Sequence, residues 1–291
     1  LRNSSAASDV YKRQKYGHKN YLTHHYNVPI VKHRLGKITI EGKEWGEKFF
    51  INGVQFSLHP AGHIIGSSQV RLEYKDEIWV YSGDYKREFD GITTPFELVK
   101  CHTFITECTF GLPAFKWKNQ ALVFDEINNF WNDCRKNNQT AIVFAYSLGK
   151  AQRLIANISS EIGKIYTHGA VENINEVIRK YKKLPITERI TKDTKKEDLI
   201  GNLVIAPPST HGSSWLKKMV PYVTSSASGW MTFRGARRRS SIDRGFVLSD
   251  HVDWKDLITT IKETEAENIV CTHGYKAVSY THLTLPTSYA V

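Results

Sequence analysis

Five polar residues follow or close apolar, strand-like runs, where their side chains could hold a metal ion. They are His63 after "FSLHPAG", Asp84 closing "IWVYSGD", Glu107 closing "TFITE", His251 after "GFVLSD" and His273 closing "NIVCTH". A single His or Asp at a strand end is more often a cap or a turn residue, but five in one chain are harder to dismiss. Imidazole and carboxylate ligands are typical of catalytic zinc sites, which keep coordination positions open.

Short strands and helices must position these residues. Between about residues 37 and 107, runs rich in β-branched and aromatic residues alternate with Gly, Asn or Asp, which predicts strands. The stretch 119–138 has apolar residues at helical spacing, and its aromatic stripe is predicted to be core. From residue 140 strands and helices alternate, which predicts a parallel α/β layer. Strands return near 221–251, followed by a helix over 253–265 and the strand "ENIVCTHG".

Composition restricts the class of protein. The 291 residues are 41% hydrophobic and 24% charged, as in globular proteins, and no apolar run approaches the length of about 18 residues needed to span a bilayer. The formal net charge of +11 favours a nucleic acid partner, although a basic protein without such a partner is the alternative. The four cysteines form no CxxC pair, which disfavours a disulfide framework or a Cys-type zinc finger and predicts a cytoplasmic protein.

The two ends of the chain differ from the rest. Residues 1–14 and 279–291 lack clear periodicity and resemble translated sequencing-adapter read-through. We exclude both segments from the fold prediction as non-native. We therefore expect the natural protein to begin before Lys15 and to continue past residue 278.

Five motifs carry a family resemblance. "HPAGHIIGS", "YSGDYK", "ITECTFG", "SDHVDW" and "CTHG", in this order, resemble the metallo-β-lactamase-fold nucleases with a β-CASP insertion. The nearest group is the ligase-associated DNA exonucleases, also described as mRNA 3′-end processing factor-like. The resemblance implies an α/β fold: a metallo-β-lactamase αββα sandwich, incomplete at its N-terminus, with an inserted β-CASP α/β domain. The sandwich would comprise residues 15–115 and 246–278, and the insertion residues 116–245.

The resemblance also implies roles for the five strand-end residues. His63 would bind one zinc ion, His273 a second, and Asp84 would bridge the two, with manganese as an alternative metal. A metal-bound hydroxide would attack the phosphate, because paired ions lower the pKa of bound water towards about 7. His251 would protonate the departing oxygen as general acid, and Glu107 would hold its imidazole.

Further residues are candidates for contact with the substrate. The basic stretch "RGARRRSSIDRG" could hold a phosphate backbone through paired hydrogen bonds, although a solvated surface loop is an equal alternative. The backbone of "SASGWM" could donate to a phosphate, or could be a plain turn. Lys150 and Arg153 open a predicted helix that could attract an anion. The substrate-binding candidates are Ser228, Gly229, Arg234, Arg237, Arg238 and Arg239.

One signature of the resembled family does not occur in the sequence. The His-x-His-x-Asp-His motif, which supplies most of its zinc ligands, is missing, and His24 and His25 in "LTHHYN" lack the spacing to replace it. We therefore expect the chain to be an N-terminally truncated, inactive fragment. Its parent would be a zinc-dependent phosphodiesterase, most simply a DNA exonuclease that works with a repair ligase and a helicase. The alternatives are an RNA 3′-end processing or decay nuclease and a non-catalytic nucleic-acid-binding protein.

Overall fold

A computed structural model describes residues 18–239 and 241–274, apart from the side chains of Ala236, Arg237 and Arg239. The predicted end segments, residues 1–14 and 279–291, lie outside the described residues. The elements follow in chain order: β1 (Asn20–His24), α1 (Val28–Leu35), β2 (Thr39–Lys43), β3 (Phe49–Ile51), β4 (Val54–Pro60), β5 (Ser68–Tyr74), β6 (Glu77–Tyr81), β7 (Thr103–Cys108), α2 (Gln120–Lys136), β8 (Thr140–Phe144), α3 (Lys150–Asn157), β9 (Ile165–Thr167), α4 (Gly169–Arg179), β10 (Glu188–Arg189), α5 (Lys196–Leu199), β11 (Leu203–Ala206), β12 (Tyr222–Ala227), α6 (Arg234–Arg239), β13 (Arg244–Phe246), α7 (Trp254–Glu263) and β14 (Asn268–Gly274).

The chain divides into two compact units. The first unit is assembled from separate parts of the chain, and the second is inserted between them. Of the described residues, the first unit contains 18–89, 93–116 and 251–274, and the second contains 90–92, 117–239 and 241–250.

The first unit is built on a mixed sheet with strand order β14-β7-β6-β5-β4-β3, and a separate parallel pair joins β1 to β2. Strands β3 to β6 pair antiparallel, whereas β7 pairs parallel with both β6 and β14. One face of the sheet buries Val80, Phe104 and Ile269 in a core shared with Leu257 and Ile261 of α7. The strand-like runs predicted between residues 37 and 107 are therefore confirmed as strands.

The second unit is built on a sheet with strand order β10-β9-β11-β8-β12-β13, in which every pairing is parallel. Its central strands are continuous apolar runs, as expected where helices cover a parallel sheet. Helix α2 begins at the N-cap Asn119 and buries Val123, Ile127 and Trp131. The predicted parallel α/β layer and the assignment of the aromatic stripe to the core are both confirmed.

No helix in the described part of the chain is both long enough and apolar enough to cross a lipid bilayer.

Candidate metal centre

His63 lies in a tight loop that follows β4. Backbone bonds from Ala61 N to Ser67 O and from Ser67 N to Ile64 O, both 3.0 Å, close this loop on itself. Gly62 has a φ of +73°, and a Cβ there would lie 2.2 Å from the carbonyl oxygen of Lys86. Only glycine permits this conformation and this close approach. The sequence "HPAGH" therefore presses the His63 loop against the loop that carries Asp84.

Asp84 lies just beyond β6. The preceding Gly83 has a φ of +57°, and the following Tyr85 is fully buried in the core of the first unit. The backbone N–H of Lys86 donates to Ala61 O at 3.0 Å, which ties this loop to the His63 loop. His63 Nε2 and Asp84 Oδ2 are 3.9 Å apart, and both side chains are largely buried.

His251 meets Glu107 at the start of the segment that leads to α7. Its Nδ1 lies 2.9 Å from Glu107 Oε1 and 2.7 Å from Oε2, so the carboxylate accepts the Nδ1 proton. Glu107 also accepts from the backbone N–H of Tyr85 at 2.9 Å. Because Nδ1 contacts Glu107, a proton transfer or a metal bond of His251 would use Nε2.

The electrostatics of this group favour a bound cation. Burial raises the pKa of Asp84, and the negative charge of Glu107 raises it further. Burial also acts to raise the pKa of Glu107, but the charge and the hydrogen bond of His251 outweigh it, so that pKa is lowered. Two carboxylates thus share one buried site, and a cation there would relieve their repulsion.

The structure brings together ligand atoms from three separate loops. One atom each of His63, Asp84 and His251 lies within 4.8 Å of the others. The rings of His63 and His251 have centroids 4.7 Å apart. Two imidazoles and a carboxylate are suitable ligands for zinc, and the carboxylate on Nδ1 of His251 is the support that metal-binding histidines usually have. The residues present therefore fit a metal ion.

The structure does not bring His273 into this group. The pairing of β14 with β7 shifts register between Thr272 and Gly274, and His273, at that irregularity, has a φ of +58°. Its side chain is exposed. His273 was predicted as a ligand from the motif alone, and its role remains a prediction.

The predicted substrate-binding residues all belong to the second unit. Ser228 caps the turn at Gly229–Thr232, since its Oγ accepts from Trp230 N at 3.3 Å. Arg234 and Arg238 are exposed on α6. The side chains of Arg237 and Arg239 lie outside the described residues.

Lys150 and Arg153 do not form an open anion site. Both are buried, with Lys150 Nζ 3.6 Å and Arg153 Nη1 3.2 Å from the Asp250 carboxylate. Arg153 also donates to Ser249 O at 2.6 Å. Both side chains are therefore paired with Asp250 inside the protein, and attraction of an anion by the start of α3 remains a prediction. The only sequence signal for this partner is the Asp that directly precedes His251.

A second group of possible ligands consists of His24, His25 and Glu44. His25 Nδ1 lies 3.0 Å from Glu44 Oε1, and the fully buried His24 has Nε2 4.0 Å from Glu44 Oε2. However, His24 Nδ1 accepts a hydrogen bond from Tyr26 N at 3.2 Å. Neutral His24 therefore carries its proton on Nε2, which leaves no lone pair there for a metal. Metal-binding histidines usually donate from the other nitrogen instead.

His59 connects two other polar side chains in the first unit. Its ring nitrogens contact Ser57 Oγ at 3.0 Å and Glu97 Oε1 at 2.9 Å, an arrangement that resembles a Ser–His–acid triad. Ser57 is only 3% exposed, so no substrate can reach it. The three side chains instead attach the segment around Glu97 to β4.

Comparisons with known proteins agree with the motif resemblance. The chain is 28% identical over 220 residues to a protein named "Probable DNA ligase" from Opitutus terrae. The aligned region covers 75% of this chain and 21% of that protein. The chain is also 25% identical over 174 residues to an "RNase J-like protein" from Methanocaldococcus jannaschii, and that aligned region covers 55% of this chain and 40% of that protein. Other similar proteins are named as an endoribonuclease and an RNase. No protein-family model matches.

The class that these relatives define is the metallo-β-lactamase-fold β-CASP nucleases, and the predicted resemblance to that class is confirmed. The chain spans about a fifth to two-fifths of the length of these curated relatives. A crystal structure of a protein of unknown function from Enterococcus faecalis V583 has the same fold, with a TM-score of 0.61 and 12% identity, covering 93% of this chain and 73% of that one.

Proposed function

We propose that the chain carries part of a metal-dependent phosphodiesterase that cleaves nucleic acid. The observation that carries this proposal is the convergence of His63, Asp84 and His251 within 4.8 Å, with Glu107 bound to His251. In this proposal the first unit corresponds to the metallo-β-lactamase αββα domain. The second unit corresponds to the inserted β-CASP domain. The nuclease names among the relatives support the reaction class.

His63 and Asp84 would hold the metal, with zinc the first choice and manganese the second. When bound, such an ion supplies Lewis acidity towards a phosphoryl oxygen and lowers the pKa of water. Asp84 is suited to the ligand role because its pKa is raised by burial and by Glu107, which makes its negative charge costly without a cation. Asp84 and His273 would together hold a second metal ion.

His251 would protonate the leaving oxygen. Glu107 accepts the Nδ1 proton and is itself fixed by the N–H of Tyr85, so the imidazole is held in one orientation. A proton on Nε2 can then pass to a departing sugar oxygen, which is general acid catalysis. The same geometry would also allow His251 to bind the metal through Nε2, and the two roles differ in a measurable way.

Metal content separates the two roles of His251. We expect Asp84→Ala and His63→Ala to lower the zinc bound by this chain in elemental analysis. His251→Ala should keep zinc and lose cleavage. Cleavage is measured with an extended chain, in which a His-x-His-x-Asp-His segment has been joined ahead of Lys15. His33→Ala, which removes an exposed imidazole from α1, is the matched control. Undiminished zinc in Asp84→Ala would refute the site, and loss of zinc in His251→Ala would refute the general-acid role.

The substrate we propose is DNA, cleaved by an exonuclease that acts with a repair ligase and a helicase. The similarity to a protein named as a DNA ligase supports this choice. The second candidate is RNA 3′-end processing or decay, which the RNase J-like and endoribonuclease relatives favour. Digestion of single-stranded DNA and RNA of matched sequence by the same extended chain, with added zinc or manganese, distinguishes them. Faster loss of the RNA strand would overturn the DNA proposal.

A further inference from the structure

His251 lies on an irregular segment that leads from the second unit into the first. Residues 247–253, all of them described, belong to neither a helix nor a strand, since β13 ends at Phe246 and α7 begins at Trp254. The residues on both sides of His251 are nevertheless buried: Ser249, Asp250, Val252 and Asp253. A buried segment without regular backbone pairing needs other partners for its polar groups. Those partners therefore decide where the His251 imidazole lies.

Arg153 of α3 holds the part of this segment that precedes His251. The Arg153 side chain is 1% exposed. Its Nη1 donates to Ser249 O at 2.6 Å and to the Asp250 carboxylate at 3.2 Å. Lys150 Nζ lies 3.6 Å from the same carboxylate. The backbone carbonyl two residues before His251 and the side chain one residue before it are thus both bound to one helix.

Gln120 orients the Arg153 guanidinium. Its Oε1, on the first residue of α2, accepts from Nε at 3.2 Å and from Nη2 at 2.8 Å. Because the guanidinium is planar, its bonds to Gln120 fix the direction in which Nη1 points towards Ser249 and Asp250. A lysine presents one compact ammonium group, which cannot reproduce both sets of bonds in this planar geometry. The contacts therefore require an arginine.

The part of the segment that follows His251 is held within the first unit. Val252 N donates to Tyr85 O at 2.9 Å, and Glu107 accepts from His251 Nδ1. Asp250 closes the second unit, and His251 opens the next part of the first. The imidazole therefore lies at a point of the chain that is held from both directions, with the guanidinium on its N-terminal side.

We propose that Arg153 is a positioning residue for His251: its bonds to Ser249 and Asp250 keep the imidazole in the orientation needed for proton transfer. The inference rests on the proposed function, since it adds a residue to the machinery of the proposed general acid. Arg153 acts through the backbone next to His251 and touches neither substrate nor metal. Such support matters because proton transfer needs the donor within about 3 Å of the departing oxygen.

The first test measures how firmly His251 is held, without cleavage. The Nδ1 proton bound to Glu107 gives an NMR signal, and its exchange with solvent reports how often that bond opens. Loss of the signal in His251→Ala assigns it. In the 291-residue chain, at one pH and with a chelator present, Arg153→Lys should raise the exchange rate roughly tenfold or more. That factor corresponds to one lost hydrogen bond to a charged group.

Gln120→Ala tests the same link without altering a buried residue. The Gln120 side chain is partly exposed, and its removal leaves the Arg153 guanidinium free to turn. The exchange rate of the His251 proton should therefore rise in Gln120→Ala as well, by less than in Arg153→Lys.

Arg179→Lys is the matched control. Arg179 is a partly buried arginine of the same unit that donates to Glu172 and Thr187. Its replacement disturbs a hydrogen-bond network whose members lie outside residues 247–253, and should leave the exchange rate within about twofold of the parent chain. A general loosening of the second unit would raise the rate in both arginine variants, whereas a positioning role raises it only in Arg153→Lys.

The second test measures cleavage by the extended chain. Arg153→Lys should lower kcat by roughly 10- to 100-fold, because a displacement of about 1 Å at the reacting group can cost that much. KM and bound zinc should stay within about twofold of the parent values, since the guanidinium meets neither substrate nor metal.

Four results would overturn the proposal: no protected His251 signal in the parent chain, an unchanged exchange rate in both Arg153→Lys and Gln120→Ala, an equal rise in Arg179→Lys, or full kcat in Arg153→Lys. Failure of the proposed function is distinguishable. If the extended parent chain never cleaves while Arg153→Lys loosens the His251 proton, only the nuclease proposal is refuted.

Discussion

Replacement of Gly62 by alanine tests how the two loops that carry His63 and Asp84 are held together. The Cβ added at this position would lie 2.2 Å from the carbonyl oxygen of Lys86. A contact of ordinary length needs a separation of at least 3.4 Å, so one loop must move by about 1.2 Å. Gly46 has the same φ of +73°, but a Cβ there meets nothing within 4 Å. Gly46→Ala is therefore a control that shares the backbone strain but not the close contact.

The expected loss of folding free energy has two contributions, the backbone strain and the close contact. An alanine in the left-handed region costs about 1 kcal/mol of folding free energy, which applies to both variants. Overpacking against a backbone carbonyl adds about 1–3 kcal/mol, which applies only to Gly62→Ala. Movement of the loop also displaces His63 from Asp84, so zinc affinity should fall by at least about tenfold in Gly62→Ala and stay unchanged in Gly46→Ala.

Two measurements check this prediction. Urea denaturation followed by circular dichroism gives the free energy of unfolding of each variant, and titration with a zinc-binding dye as competitor gives the zinc affinity. Equal destabilisation of the two variants would show that the close approach of Gly62 to Lys86 does not matter. Lowered stability with normal zinc affinity would refute the link between loop packing and the metal centre.

Further predictions concern buried polar groups away from the metal centre. Burial lowers the pKa of His24 to about 4, with a smaller contribution from the neighbouring His25. The unfolded chain therefore binds the extra proton first as pH falls below about 6.5, and stability is lost between about pH 6.5 and pH 4. Between pH 7 and pH 5 the unfolding free energy of the parent chain should therefore fall by about 2 kcal/mol more than that of His24→Phe. Equal falls in the two proteins would contradict this prediction. Glu172 is buried and accepts from Thr167, Thr187, Asn175 and Arg179. Glu172→Ala should lower the unfolding free energy by about 3 kcal/mol in denaturation experiments, because it leaves these donors unpaired. The control Glu176→Ala removes an exposed partner of Arg189 and should lower it by less than about 1 kcal/mol. A similar cost for both would show that the buried network adds nothing.

The sequence alone predicted the type of most long elements and named the three residues that converge in the candidate metal centre. Apolar runs of period two or of helical period are local properties, so β4 to β8, α2 and α7 could be predicted from them. Glycines beside polar strand ends marked His63 and Asp84, because a positive φ and a close approach also leave a local signature.

Tertiary structure decided which of these residues meet. Glu107 and His251 are 144 positions apart in the sequence, yet their side chains lie 2.7 Å apart in the fold. His273 lies at a register shift in β14 with its side chain exposed, and Asp250 pairs with Lys150 and Arg153. Each outcome depends on a contact between distant segments, whereas periodicity reports only on neighbours along the chain.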